Sequence, residues 1–312
     1  MILVTGGSGY VGSHIVRRLA EMGRPVRALV RSRERAKREG RLAGLQVEWV
    51  EGDVTRPETL APAMLGAPAV IHTVAIAIEK GGRRYETINY EGTVNVVEAA
   101  KAAGVRRFLH QGQFGADSRL PYRFLKSKGQ AQEYVAASGL EWTAFRPSVI
   151  WGPEDEFANT FAKLAMLTPI IFPIVGDENS RFQPVCVEDV VTCFVKALDD
   201  AATTGKEYQL GGPEVLTLEE IERRALKARG ARRLMVRFPM PLLRLAVALM
   251  EVALPAPPVT RSLLELLAVS NVPTNNAIHL FVEKPRPFTA EAAAEYVRRF
   301  TLRGTVAQFL GR

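Results

Sequence analysis

Cysteine is almost missing from this chain, which has two in 312 residues, Cys186 and Cys193. Two cysteines exclude a disulfide framework, and with only four histidines no metal-ligand set is legible. Both cysteines therefore read as reduced core residues. No uncharged apolar run reaches the roughly 18 residues that a bilayer span needs, and no leader precedes the first motif, so a cytoplasmic home is expected. Low-complexity and collagen-like bias are lacking as well. Aromatic residues make up only 8% of the chain and nowhere line a basic groove, so no nucleic-acid partner is expected. Acidic residues are the scarcer charge, 33 against 41 Lys and Arg, for a net charge of +8.

Against these absences stands Thr5-Gly6-Gly7-Ser8-Gly9-Tyr10-Val11-Gly12, directly after the apolar run Ile2-Leu3-Val4. Glycines at 6, 9 and 12 allow a sharp turn from a strand into a helix, whose N-terminal amides then meet a pyrophosphate. Val11, Ile15, Val16 and Leu19 recur at helical spacing, Gly23 stops the helix, and Val26 to Val30 forms a second apolar run. The unit predicted is strand, turn, helix, strand, with a dinucleotide held at the turn by Thr5, Gly6, Gly9, Tyr10, Val11 and Gly12.

Much of the positive charge falls in Arg31-Ser32-Arg33-Glu34-Arg35-Ala36-Lys37-Arg38-Glu39-Gly40-Arg41, after the second strand. An acid at that place would accept the 2'-hydroxyl of NAD. Arg31, with Arg33 behind it, suits a 2'-phosphate instead, so NADP(H) is favoured over NAD(H). Arg35, Lys37, Arg38 and Arg41 read as a solvated basic face.

Strands and helices continue to alternate: strands at Val47 to Glu51, Ala69 to Ala75, Val105 to His110 and Glu141 to Val149, helices at Tyr85 to Ala103 and Tyr122 to Ser138. Thr55-Arg56-Pro57-Glu58 reads as a capping box opening a helix to about Leu65. The pattern predicts an α/β fold, a Rossmann-type doubly wound parallel sheet of about seven strands, with a smaller C-terminal substrate domain. The expected division is 1–150 with 182–212 for the dinucleotide-binding part, and 151–181 with 213–312 for the smaller substrate or partner domain.

The glycine loop, Glu51-Gly52-Asp53, Asn89-Tyr90-Glu91-Gly92-Thr93, Phe145-Arg146-Pro147-Ser148-Val149-Ile150-Trp151-Gly152-Pro153, Phe182-Gln183-Pro184-Val185-Cys186-Val187-Glu188-Asp189-Val190 and Leu210-Gly211-Gly212-Pro213 resemble the extended short-chain dehydrogenase/reductases. Within that family (NAD-dependent epimerase/dehydratase-like) they resemble the atypical branch that contains the nucleotide-binding accessory subunit of respiratory complex I and its bacterial relatives. The resemblance implies that Asp53 and Val54 contact adenine, that Thr73, Val74 and Ala75 flank the cofactor, and that Pro147 to Val149 lie near the nicotinamide; Asn89 belongs to the same cofactor set.

Active members of this family use a Ser, a Tyr and a Lys four residues after the Tyr, in which the Lys lowers the Tyr pKa for proton exchange with the substrate oxygen. Here Tyr122 with Lys126 is a formal match, and Phe124 stands four before Lys128. Lys128 lies 18 residues before Arg146, the separation the branch implies, whereas Lys126 lies 20 before it. Lys128 is therefore the retained catalytic position, suited to the nicotinamide ribose, and Tyr122 a displaced candidate. The Ser position reads Gly112. Gln111 or Gln113 offers an amide, and His14 and His110 read as structural.

In the second half, Leu164 to Gly176 carries no charge and two prolines and reads as an apolar loop, which would suit a small lipophilic molecule. Thr217-Leu218-Glu219-Glu220 is a capping box for a helix ending at Gly230. Pro241 to Leu254 and Ser262 to Val269 form a helical pair, which either closes the C-terminal subdomain's own core or meets a membrane surface or protein partner. Two functions of different class follow. One is an NAD(P)H-dependent oxidoreductase of a small lipophilic carbonyl or quinone-like substrate. The other is a nucleotide-binding protein with a degraded Ser/Tyr/Lys site, in which the bound nucleotide acts structurally or as a regulator.

Overall fold

The computed structural model describes residues 1–174, 179–255, 257, 259–267 and 269–309. Contacts divide the chain into two units. The first comprises Met1–Pro147, Val187–Leu210 and Thr274–Lys284; the second comprises Ser148–Cys186, Gly211–Pro273 and Pro285–Arg312.

Seven strands build the first unit: β1 (Ile2–Thr5), β2 (Val26–Val30), β3 (Glu48–Glu51), β4 (Ala69–His72), β5 (Arg107–Gln111), β6 (Glu141–Pro147) and β7 (Lys206–Leu210). They pair in the order β3-β2-β1-β4-β5-β6-β7, all parallel. Parallel strands covered on both faces need continuous apolar runs, and Leu3, Val4, Val70, Ile71, Phe108 and Leu109 are accordingly fully buried. Helices α1 (Tyr10–Glu21), α2 (Arg33–Glu39), α3 (Gly92–Ala102), α4 (Arg123–Ala136) and α5 (Val187–Asp199) supply the crossovers. Strand order reverses between β1 and β4, and the crevice beyond their C-terminal ends is where a doubly wound sheet receives its ligand.

Long-range polar ties close this unit. His14 Nδ1 lies 2.6 Å from Glu188 Oε1, and Arg18 donates to Oε2 of the same carboxylate at 2.6 Å, so α1 is pinned to the start of α5. The buried Arg107 guanidinium donates to the Glu141 and Ala197 carbonyls and to the Thr143 and Thr203 hydroxyls at 2.6–2.8 Å. Arg107→Met strands those acceptors, so the urea midpoint should fall by the equivalent of about 3 kcal/mol with an unchanged denaturant slope.

Some local expectations change. Thr274–Lys284 returns to the first unit, because the Gln209 side chain accepts from the Thr274 and Asn275 amides and Phe281 packs on Phe145 and Tyr208. No capping box forms at Thr55: its hydroxyl donates to Asp53 Oδ1 at 2.8 Å, and only short turns at Pro57–Thr59 and Ala61–Met64 follow. Strand six stops at Pro147.

The second unit is helical around Trp151, Phe161, Phe172, Phe182, Ile221 and Phe288. Its helix Leu218–Arg229 opens on the expected capping box, with Thr217 Oγ1 accepting from the Glu220 amide and the Thr217 amide donating to Glu220, and ends at Gly230 with φ +72. The Leu164 to Gly176 run is not a loop. Its start finishes the helix Ala158–Leu167, and Ile171–Ile174 is a strand paired in parallel with Leu234–Arg237; Val175 and Gly176 lie outside the described residues. Phe172 supplies the reason, since an apolar run with one fully buried side chain forms part of a core.

Candidate functional site

At the end of β1, Gly6 adopts φ +74, and a Cβ there would sit 2.9 Å from the Thr73 hydroxyl. The Gly9 amide closes the turn on the Gly6 carbonyl at 2.8 Å. A Cβ on Gly12 would overlap that same carbonyl, so glycine alone lets α1 begin pressed against the turn. The helix starts with no side-chain cap and no acid in its first turn, leaving orphan amides and the positive dipole end for an anion. Thr73 ties β4 to β1, its amide and hydroxyl both donating to the Thr5 carbonyl at 3.2 and 2.8 Å. This cradle fits a pyrophosphate. Tyr10 is half-buried and Val11 buried at the helix start, and the Thr5 hydroxyl is occupied with His72 Nδ1 at 2.7 Å.

Past β2, Arg31 is exposed and its side chain makes no hydrogen bond among the described residues. Its charge reaches Asp53. Burial pushes the Asp53 carboxyl up, but the Thr55 amide and hydroxyl, then Arg31 and Arg56, outweigh it and hold it below the ordinary aspartate value. Val54 is buried, with Asn95 donating to its carbonyl. The Arg33 guanidinium is exposed, while its amide donates to Glu51.

Arg41 departs from the solvated face assigned to it. Gly40, at φ +68, ends α2 and turns the chain back, so the half-buried Arg41 donates to the Ser8 carbonyl inside the glycine loop at 2.7 Å; Arg17 in turn donates to the Arg41 carbonyl. Arg35 pairs with Glu39, and Lys37 and Arg38 are exposed.

At the ends of β4 and β5 lies a buried polar layer. The His72 and His110 rings stack at 5.6 Å, and Lys128 on α4 donates to the Gln111 carbonyl at 2.6 Å. Burial pushes Lys128 down to about 8. Burial, then the Lys128 charge, pushes His72 down to about 3 and His110 well below its ordinary value, so both imidazoles are neutral at pH 7. Asn89 is fully buried; its side chain braces Ile76 through both backbone groups and reaches Ser127 Oγ at 3.2 Å. Val74 is half-buried against the cluster of Ile76, Tyr85 and Ile88, Ala75 is exposed, and Pro147 is buried at the end of β6, its carbonyl taking the Phe114 amide. Val149 belongs to the second unit, where its carbonyl accepts from Val185.

One turn before Lys128 comes Phe124, which packs, as Val74 does, against the cluster of Ile76, Tyr85 and Ile88; its ring meets Tyr85 edge-on at 5.6 Å. Tyr122 stands outside α4, extended at the N-cap (φ -76, ψ 107) and 38% exposed. Its position thus follows from the cap. Gly112 has little room for a side chain, since a Cβ would lie 3.0 Å from Arg146 Cγ and 3.3 Å from both Gln132 Oε1 and the Phe145 carbonyl. Among the described residues no group of three His, Cys, Asp or Glu is placed to hold a metal. Sequence reasoning missed Arg41 and His72; the glycine before Arg41 was the available signal for the first.

Residues 6–162 match a family model described as NAD(P)H-binding. Over 229 residues the chain is 32% identical to the NADH dehydrogenase [ubiquinone] 1 alpha subcomplex subunit 9, mitochondrial, of Arabidopsis thaliana, covering 70% of this chain but only 55% of the plant protein. Over 277 residues it is 30% identical to a 3 beta-hydroxysteroid dehydrogenase/Delta 5 to 4 isomerase of Mycobacterium tuberculosis, covering 78% of this chain and 73% of that one. Its fold is similar to that of a UDP-glucose 4-epimerase from Thermotoga maritima, with a TM-score of 0.71 at 18% identity, over 98% of this chain and 99% of the other.

Proposed function

The chain belongs to the NAD(P)H-binding family of extended short-chain dehydrogenase/reductase folds, and from that premise we propose that it holds NADP(H) as a structural or regulatory ligand. The observation that carries this reading is Phe124. The ring that faces its apolar neighbours one turn before Lys128 has no hydroxyl to exchange a proton, and Gly112 has none to hold a substrate oxygen. Lys128 keeps a binding task, donating to the nicotinamide ribose, and bound nucleotide stabilises the folded state by mass action. At a hundred times its Kd the nucleotide would add about 2.7 kcal/mol.

Arg31, Arg33 and Arg41 supply the preference for the 2'-phosphate, and Asp53 and Val54 border the adenine. NADPH should bind roughly ten- to a hundredfold more tightly than NADH, as a charge-assisted hydrogen bond warrants. Arg31→Glu should remove or reverse that ratio in a fluorescence titration. Equal affinities in the unmodified chain would exclude a 2'-phosphate role for Arg31.

A second reading rests on the retained Lys128 and on the dehydrogenase named among the relatives. The chain would then transfer hydride to a small lipophilic carbonyl or quinone-like compound, with water or another side chain supplying the proton. Nucleotide binding without turnover on a panel of such compounds supports the first reading; turnover supports the second. The kinship with a respiratory-complex subunit favours a protein assembly as the setting for a silent nucleotide.

A further inference from the structure

We propose that the outer face of the helix Met240–Ala253 seats on an anionic lipid bilayer, an inference that stands independently of the nucleotide reading. The inner face of this helix buries Leu243 and Val247 in the core of its own unit. On the opposite face Leu242, Leu245, Leu249 and Val252 are 57, 58, 63 and 89% exposed. Their spacing of three, four and three residues makes them one stripe along the helix. A helix that covers a core ordinarily turns charge to water, and this one turns leucine.

The adjoining chain extends the apolar surface. Phe238, just before the helix, is exposed, and the strand leading to it begins with exposed Leu234 paired with exposed Ile171, next to exposed Ile170.

Charge selects the occupant. From Arg223 to Met250 the sequence carries eight basic residues and no acidic one; Arg223 and Arg237 pair with Glu219, Arg224 with Glu214 and Lys227 with Glu291, and Arg229, Arg232, Arg233 and Arg244 have no carboxylate partner among the described residues. Exposed Arg232 and Arg244 make no side-chain hydrogen bond among the described residues. The helix's single acid, Glu251, is drawn to Arg261, which donates from Nε at 2.7 Å and from its amide at 3.0 Å. A second copy of this chain would bring like charges together, whereas anionic headgroups complement them. No helix among the described residues is long and apolar enough to cross a membrane, and 14 residues span only about 21 Å. The helix would lie in the interface plane, its leucines in the acyl boundary and its arginines among the headgroups.

Flotation of the full chain with phosphatidylcholine–phosphatidylglycerol vesicles tests this. The chain should float with them, less so at high salt, and much less with phosphatidylcholine alone. Leu245→Glu with Leu249→Glu should reduce binding more than tenfold, and Arg232→Glu with Arg244→Glu roughly tenfold or more on anionic vesicles. Leu280→Glu, at an exposed leucine of the first unit, should change nothing. Both double variants alter exposed side chains, and unchanged NADPH binding and melting would certify their folding. Three results would overturn the proposal: a chain that stays free of anionic vesicles, a leucine double variant that floats as well as the parent, or a parent dimer that the leucine variant makes monomeric.

Discussion

Lys128→Met should make the nucleotide-free protein more stable at pH 7 while weakening NADPH binding about ten- to a hundredfold. The two effects have one origin, a cation that the fold buries at 3% exposure with, among the described residues, one carbonyl partner. Unfolded, a lysine titrates near 10.5; folded, burial brings Lys128 to about 8. Between those values the unfolded chain holds a proton that the native chain has lost, so stability rises with pH across that window. Below about pH 8 the cost stands in full, on the order of 3 kcal/mol. Methionine removes it and forfeits one hydrogen bond to Gln111, worth about 1–2 kcal/mol. The net gain at pH 7 should shrink toward pH 10.5, which urea unfolding at several pH values would reveal. A variant less stable at pH 7, with unaltered nucleotide affinity, would make Lys128 a structural tie and remove it from the ribose.

Phe124→Tyr should raise NADPH-dependent carbonyl reduction about a hundredfold over the background of the parent, with nucleotide affinity unchanged. It places a phenol one helical turn before Lys128, where the cation lowers the phenol pKa, and general acid–base groups contribute about 10²–10⁴. The lower bound applies because Gly112 offers no hydroxyl. Gly112→Ser should add little, since its Cβ presses on Arg146 Cγ and on the Phe145 carbonyl. Tyr122→Phe should alter neither binding nor turnover, because Tyr122 caps the helix from outside it. Activity that vanishes in Tyr122→Phe would overturn the assignment of Phe124 to the catalytic position.

The centre of the sheet was legible in the sequence because β1 and β4 are buried throughout and read as continuous apolar runs, with the glycine loop marking the first crossover. The lack of a phenol four residues before Lys128 was legible from spacing, since Phe124 and Lys128 lie one turn apart whatever the helix packs against. Pairings across the chain were not. His14 showed no partner because Glu188 lies 174 positions away. Thr55 matched a capping box by residue type, but its neighbour Asp53 competes for the same hydroxyl, and a pattern of types does not rank two hydrogen bonds. Arg41 looked solvated because it follows a charged helix; the left-handed Gly40 sends it back to the loop. The return of Thr274–Lys284 to the sheet edge depends on Gln209 and Phe281, polar and aromatic contacts with no periodicity to announce them.

The pinning of α1 to Glu188 also has a temporal meaning. The glycine loop is made long before the carboxylate that fixes its helix, 174 positions on from His14, and the edge segment Thr274–Lys284 comes later still. At about 5–20 residues per second, the first unit waits roughly 7 to 30 seconds between the synthesis of Pro147 and that of Lys284. Until Leu210 completes β7, roughly 3 to 13 seconds into that interval, β6 offers an unpaired edge, which a chaperone would have reason to cover. Nucleotide capture would then mark a chain extended past Lys284, which release of nascent chains stalled at different lengths onto immobilised NADPH would detect.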